Sequence, residues 1–113
     1  DYNLALQKAL SQKQNLLIDC GADWCSICKA IDKYVFEDPA VKEVLCNLVG
    51  LKVNATDQYS EPYQSLKVKY NIRGVPAILL IDPSTGELLQ RWGSDLYDLP
   101  KNEFIAQLKT SGA

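Results

Sequence analysis

Histidine and methionine are both absent from this chain of 113 residues. Without histidine, zinc loses its usual nitrogen ligand, and the four cysteines do not form two C-x-x-C pairs that could replace it. No metal site and no cofactor are therefore expected. An excess of charge of either sign is also lacking: 12 basic and 14 acidic residues leave a net charge of −2. Such a balance gives no electrostatic footprint for nucleic acid or for an anionic membrane. No apolar run approaches the ~20 residues of a membrane span, and the first residues do not follow a signal-peptide pattern, so direct membrane insertion is not expected. The missing methionine extends to position 1, as expected of an excised domain or a processed chain. There is no repeat, low-complexity tract or long linker, and a chain of this length can bury about two-thirds of its unfolded surface. One domain over residues 1–113 is expected.

What the chain does contain is concentrated in Ala22-Asp23-Trp24-Cys25-Ser26-Ile27-Cys28-Lys29. Leu16-Leu17-Ile18-Asp19-Cys20 before it has the apolar character of a buried parallel strand, and Gly21 frees the backbone to turn. After it, Ile27, Ile31, Tyr34 and Val35 recur at helical spacing, which predicts a helix from Cys25. A thiol at a helix N-terminus faces unpaired N–H groups and the positive end of the helix dipole, and both favour thiolate. Cys25 is the expected nucleophile. Cys28, on the same helical face, is the expected resolving thiol that attacks a mixed disulfide on Cys25. An inert structural disulfide is the competing reading, but so short a loop gains little chain entropy. Asp19, an acid inside an apolar strand, and Asp32, one helical turn beyond Cys28, are candidate acceptors for the Cys28 proton. Asp32 also reads as an ordinary solvated helix acid. Trp24, immediately before Cys25, reads as a partly exposed shield over the site or as a core aromatic.

The remaining chain supplies a frame. Leu4, Leu6 and Leu10 predict a weak first helix. Pro39 opens a second helical stretch to about Asn47, followed by a strand over Leu48 to Asn54. Ser60 is expected to cap a helix from Glu61 to Tyr70. Ala77 to Asp82 reads as a buried strand, Pro83 to Gly86 as a turn and Glu87 to Trp92 as the hairpin partner, with a last helix from Pro100. This order predicts an α/β fold in which a mixed central sheet is covered by helices on both faces. Strand alternation places Cys20 on the face opposite Asp19, while Cys46 is expected to pack on the Asp19 face; both are expected to be buried free thiols. Asn54-Ala55-Thr56 matches a glycosylation sequon but also ends a strand. Tyr59, Tyr63 and Tyr70 read as helix packing or as a binding surface. Gly93 is expected to permit close backbone approach after the last strand.

The W-C-x-x-C-K run after an apolar strand with an internal Asp, followed by Gly74-Val75-Pro76, resembles the thioredoxin superfamily and its thioredoxin-like fold. Ala22-Asp23-Trp24-Cys25, Lys33-Tyr34, Phe36, Asp38-Pro39-Ala40-Val41 and Val53-Asn54-Ala55-Thr56 are together similar to the C-terminal periplasmic domains of DsbD-type thiol:disulfide reductases. The resemblance covers Leu16 to Leu108. It implies a protein-disulfide reductase with an exposed nucleophile at Cys25, a buried partner at Cys28, a buried strand acid at Asp19 and a second acid at Asp32. It also implies a cis bond at Pro76 that aligns the Val75 backbone with a bound partner strand beside Trp24 and the cysteines. Cys20, Gly21 and Cys46 depart from the family pattern. By resemblance, the chain is expected to be a monomeric periplasmic domain tethered through an inner-membrane parent. Its expected partners are protein dithiols and disulfides, among them other domains of that parent. A free-standing periplasmic reductase of the cytochrome-maturation kind and a non-catalytic thioredoxin-fold binding module are the alternatives.

Overall fold

The computed structural model describes all 113 residues. Its elements run α1 (Tyr2–Gln12), β1 (Leu16–Gly21), α2 (Ser26–Tyr34), α3 (Pro39–Leu45), β2 (Val49–Asn54), α4 (Tyr63–Tyr70), β3 (Ala77–Ile81), β4 (Leu88–Trp92), a 3-10 turn (Ser94–Tyr97) and α5 (Lys101–Thr110). The four strands form one sheet in the order β2-β1-β3-β4. β1 runs parallel to β2 and antiparallel to β3, and β3 pairs antiparallel with β4. This is the mixed-sheet α/β architecture that the strand and helix order predicts, and the thioredoxin-like fold that the resemblance implied.

Alternation along β1 divides the core. Leu16, Ile18 and Cys20 point into one apolar cluster with Ala9 of α1 and Tyr63, Leu66 and Tyr70 of α4. Leu17 points to the other face, where Ile78 and Leu80 meet Ile31 of α2, Val41 and Val44 of α3, and Phe104 and Leu108 of α5. Period-two side chains on a sheet with helices on both sides produce this split, and each fully buried large apolar side chain stabilises the fold by about 1.5–3 kcal/mol. Asp19 shares the Leu17 face, so β1 presents a carboxyl toward the side covered by α2. Trp92 locks the far edge of that face: its ring meets Phe104 edge-on at 5.0 Å, and its indole N–H donates to Gln107 Oε1 at 2.6 Å.

Several expectations are corrected. In α1 the inward stripe is Tyr2, Ala5, Leu6 and Ala9, which leaves Leu4 and Leu10 exposed. α4 begins at Tyr63, because the residue before a proline is disfavoured in helical conformation and Pro62 occupies the N-cap position. The Ser60 hydroxyl instead donates to the Asp57 carbonyl at 2.7 Å, and the Glu61 carboxylate accepts from the Ser65 N–H and hydroxyl at 2.9 and 2.8 Å. Cys46 is exposed, not buried. Val41 and Val44 set the inward face of α3, and two residues further the helix has turned about 200° away. A Cβ on Gly93 would lie 3.9 Å from the Pro76 carbonyl oxygen, an ordinary contact, so close approach does not require glycine there.

Candidate redox site

The site is built where β1 hands over to α2. Gly21 closes the β1–β2 ladder opposite Asn54, and its carbonyl accepts the Ala55 N–H at 2.7 Å. Its φ is not in the left-handed region, so backbone freedom is not why glycine stands here. A Cβ at this position would sit 3.3 Å from Cys28 Cβ, tighter than ordinary contact. Glycine lets the first turn of α2 lie against the strand end.

Asn54 and Thr56 fasten the loop that carries Trp24. Asn54 Oδ1 accepts from the Thr56 N–H and hydroxyl at 2.9 and 2.6 Å, and Thr56 Oγ1 accepts the Asp23 N–H at 2.9 Å. The Trp24 indole N–H donates to the Thr56 carbonyl at 3.2 Å, which holds the ring in place although it is 67% exposed. In the Asn54-Ala55-Thr56 tripeptide both polar side chains are thus committed to the loop. Sequence reasoning gave Thr56 no role, because its partners lie more than 30 residues away.

Cys25 occupies the N-cap of α2 in extended conformation, and Ser26 is the first helical residue. The Cys28 backbone N–H donates to Cys25 Sγ at 3.2 Å. An N–H aimed at sulfur from the positive end of a helix stabilises negative charge on it, which is the physical basis for a reactive thiolate at Cys25. The two cysteines are joined as a disulfide with Cα atoms 5.3 Å apart. In this oxidised form both are almost covered, Cys25 at 6% and Cys28 at 5% exposure. The contrast of exposed and buried sulfur that the resemblance implied is therefore absent here. Ala22 completes the small cluster that the two cysteines form, and Ile27 and Val75 pack against it. The N–H on Cys25 Sγ distinguishes the two electrostatically.

Asp19 is partly buried on the face of β1 that α2 covers, with Asp32 of α2 beside it. Burial first, and then the neighbouring Asp32 carboxyl, push the Asp19 carboxyl up to about 8, against the pull of the Lys52 ammonium. Asp32 ion-pairs with Lys52, and its side chain is 28% exposed, so it is not a freely solvated helix acid. Lys52 arrives through the parallel register that pairs it with Asp19 across β1 and β2. Nothing in the local pattern of β2 singles it out, and only the register reveals it. A cavity of about 450 Å³ lined by Gly21, Cys28, Asp32 and Lys52 opens this side of the site to water.

The Val75–Pro76 bond is cis, as the resemblance implied, and Val75 packs against the cysteine pair. A second cis bond, Glu61–Pro62, was not anticipated. Cys20 is fully buried on the opposite face of β1, where burial and the Asp19 charge push its thiol up to about 12. It is separated from Cys46, and both are free. Tyr63 and Tyr70 pack in the core, whereas Tyr59 is exposed. Cys, Asp and Glu side chains form no group of three that could hold a metal ion.

A family model described as thioredoxin-like matches residues 1–83. The chain is 36% identical over 105 residues to the thiol:disulfide interchange protein DsbD of Colwellia psychrerythraea, a match covering 93% of this chain and 17% of that protein. It is 39% identical over 80 residues to DsbD of Actinobacillus pleuropneumoniae, covering 71% of this chain and 14% of that protein. The chain thus spans about a sixth of the length of these relatives. Among solved structures, the oxidised C-terminal domain of Neisseria meningitidis DsbD superposes with a TM-score of 0.79 at 20% identity, over 97% of this chain and 92% of that one. A thioredoxin from Thermus thermophilus superposes with a TM-score of 0.78 at 25% identity, over 96% and 82%. With its C-x-x-C pair at the head of α2 and its cis proline beside it, the chain belongs to the thioredoxin-like family.

Proposed function

We propose that the protein is a thiol:disulfide oxidoreductase that reduces disulfides in partner proteins through Cys25 and Cys28. The observation that carries this reading is the Cys28 N–H directed at Cys25 Sγ from the start of α2. In the reduced protein, the Cys25 thiolate attacks one sulfur of a partner disulfide. The partner S–S bond breaks, the partner's other sulfur leaves as thiolate, and a Cys25–partner mixed disulfide forms. Cys28 then loses its proton to Asp19 and attacks Cys25 Sγ, which expels the second partner thiolate and forms the Cys25–Cys28 disulfide. Two electrons pass to the partner, and a donor dithiol returns the protein to its reduced form. An acid raised to about 8 suits this exchange, because near neutral pH it can both take and return a proton.

The similarity to DsbD supports a finer reading: a periplasmic relay domain between a membrane domain's cysteine pair and a further periplasmic domain of the same parent. No helix here is long and apolar enough to cross a membrane, so tethering in this reading comes from the parent chain. Within it, Trp24, Val75 and Pro76 line the approach to Cys25, and the domain works as a monomer.

Reduction of insulin by the protein in the presence of dithiothreitol tests the activity. Catalysis above the dithiothreitol background that disappears in Cys25→Ser is expected. Equal rates for the two proteins would favour a binding module that does not turn over.

A further inference from the structure

The two sides of the cysteine pair differ in charge. On one side, the cavity at Cys28 is lined by groups of both signs, Asp23, Lys29, Asp32 and Lys52. On the other, a groove of about 390 Å³ runs between Trp24 and Val75, and its only charged lining residues are Lys67 of α4 and Arg73 of the loop leading to Pro76. Neither is neutralised. The ion pairs of the molecule are Glu37–Lys42 and Asp32–Lys52, so no carboxylate lies within 4.0 Å of Lys67 or Arg73. The Lys67 ammonium meets only the neutral amide of Gln58, at 3.3 Å. A protein of net charge −2 thus holds two unpaired cations in the groove at its redox site.

A lining that combines Trp24, Ala55 and Val75 with Lys67 and Arg73 suits an extended polypeptide that brings apolar surface and negative charge together. We infer that this groove selects partner segments carrying an aspartate or glutamate close to the reactive cysteine, with Lys67 and Arg73 as the specificity-determining residues. This rests on the reductase reading. Opposite charges across a small transient interface act chiefly on the rate of encounter and on the choice of partner, which suits a protein that must release its product.

The test uses short peptides in which one cysteine is blocked as a disulfide with 2-mercaptoethanol, a neutral cap. One peptide carries Asp two residues before and two residues after the cysteine; a second carries Asn at both places. The second-order rate of reduction by the dithiol form of the protein is measured for each. At low salt the Asp peptide is expected to react about three- to tenfold faster than the Asn peptide, and the advantage should vanish in ~0.5 M NaCl. It should also vanish in the double variant Lys67→Gln/Arg73→Gln, with the Asn peptide still reduced within about twofold of the original rate. Because the ratio compares two peptides on one protein, any change in Cys25 thiolate content cancels. Equal rates for the two peptides on the unsubstituted protein, or a preference that survives the double substitution, would overturn the inference while leaving the reductase reading intact. Failure to reduce either peptide would overturn both.

Discussion

Asp19 sits where burial and a second carboxyl both oppose its ionisation, which pushes its carboxyl up to about 8. An unfolded chain loses the same proton near pH ~4. Between those values the folded protein holds a proton that the unfolded chain has released, so the stability that neutral Asp19 provides falls as pH rises through the window. Asp19→Asn should flatten that decline and leave the variant the more stable of the two near pH ~8. Urea unfolding across this range checks it, and an undiminished decline in the variant would assign the pH dependence elsewhere. The same substitution should slow resolution of the Cys25 mixed disulfide at least ~10-fold at neutral pH, because Cys28 loses its proton acceptor. The four thiols should also separate by reactivity. With iodoacetamide at neutral pH, exposed Cys46 is labelled in both redox states and buried Cys20 in neither, while Cys25 is labelled ahead of Cys28 only after reduction. Equal labelling of Cys25 and Cys28 would remove the case for a thiolate at the helix start.

The hinge between β1 and α2 depends on a loop from elsewhere in the chain, where Thr56 accepts the Asp23 N–H and its carbonyl holds the Trp24 indole. Thr56→Val should cost about 1 kcal/mol and loosen Trp24, seen as a red-shifted, more quenchable indole emission. An unchanged emission spectrum would mean that the loop holds without the hydroxyl. This hinge also marks where sequence reading reached its limit. Alternation in Leu16 to Cys20 was enough to place Asp19 and Cys20 on opposite faces, and the spacing of Ile27 and Ile31 located α2 within one residue of its start. Both are local patterns. Tyr34 fits the same spacing yet lies outside, edge-on to Tyr97 at 6.4 Å, because the 3-10 turn that receives it leaves no periodic trace. Lys52 came to Asp32 through strand register, and Val75 came to the cysteine cluster from a distant loop, so neither was legible locally.

At the scale of the molecule, the sheet serves as a rigid mount. Its two apolar faces fix β1 on one side against α1 and α4 and on the other against α2, α3 and α5, and the reactive pair stands at the end of β1 where both layers meet. Truncating the far core should therefore change stability and not chemistry. Phe104→Ala is expected to lose about 3–5 kcal/mol in denaturant unfolding, while the fraction still folded reduces disulfides at the original rate. A matching loss of exchange rate would mean that the site draws on the α5 layer directly. The whole arrangement serves one event, attack by Cys25 followed by release through Cys28. Replacing Cys28 with Ser removes the second step and stops the cycle at the mixed disulfide. Reduced Cys28→Ser protein, incubated with a disulfide-capped peptide and mapped by mass spectrometry, should carry a stable peptide adduct on Cys25 that the unsubstituted protein releases. An adduct confined to Cys46, or no adduct at all, would contradict the assignment of Cys25 and Cys28 as the working pair.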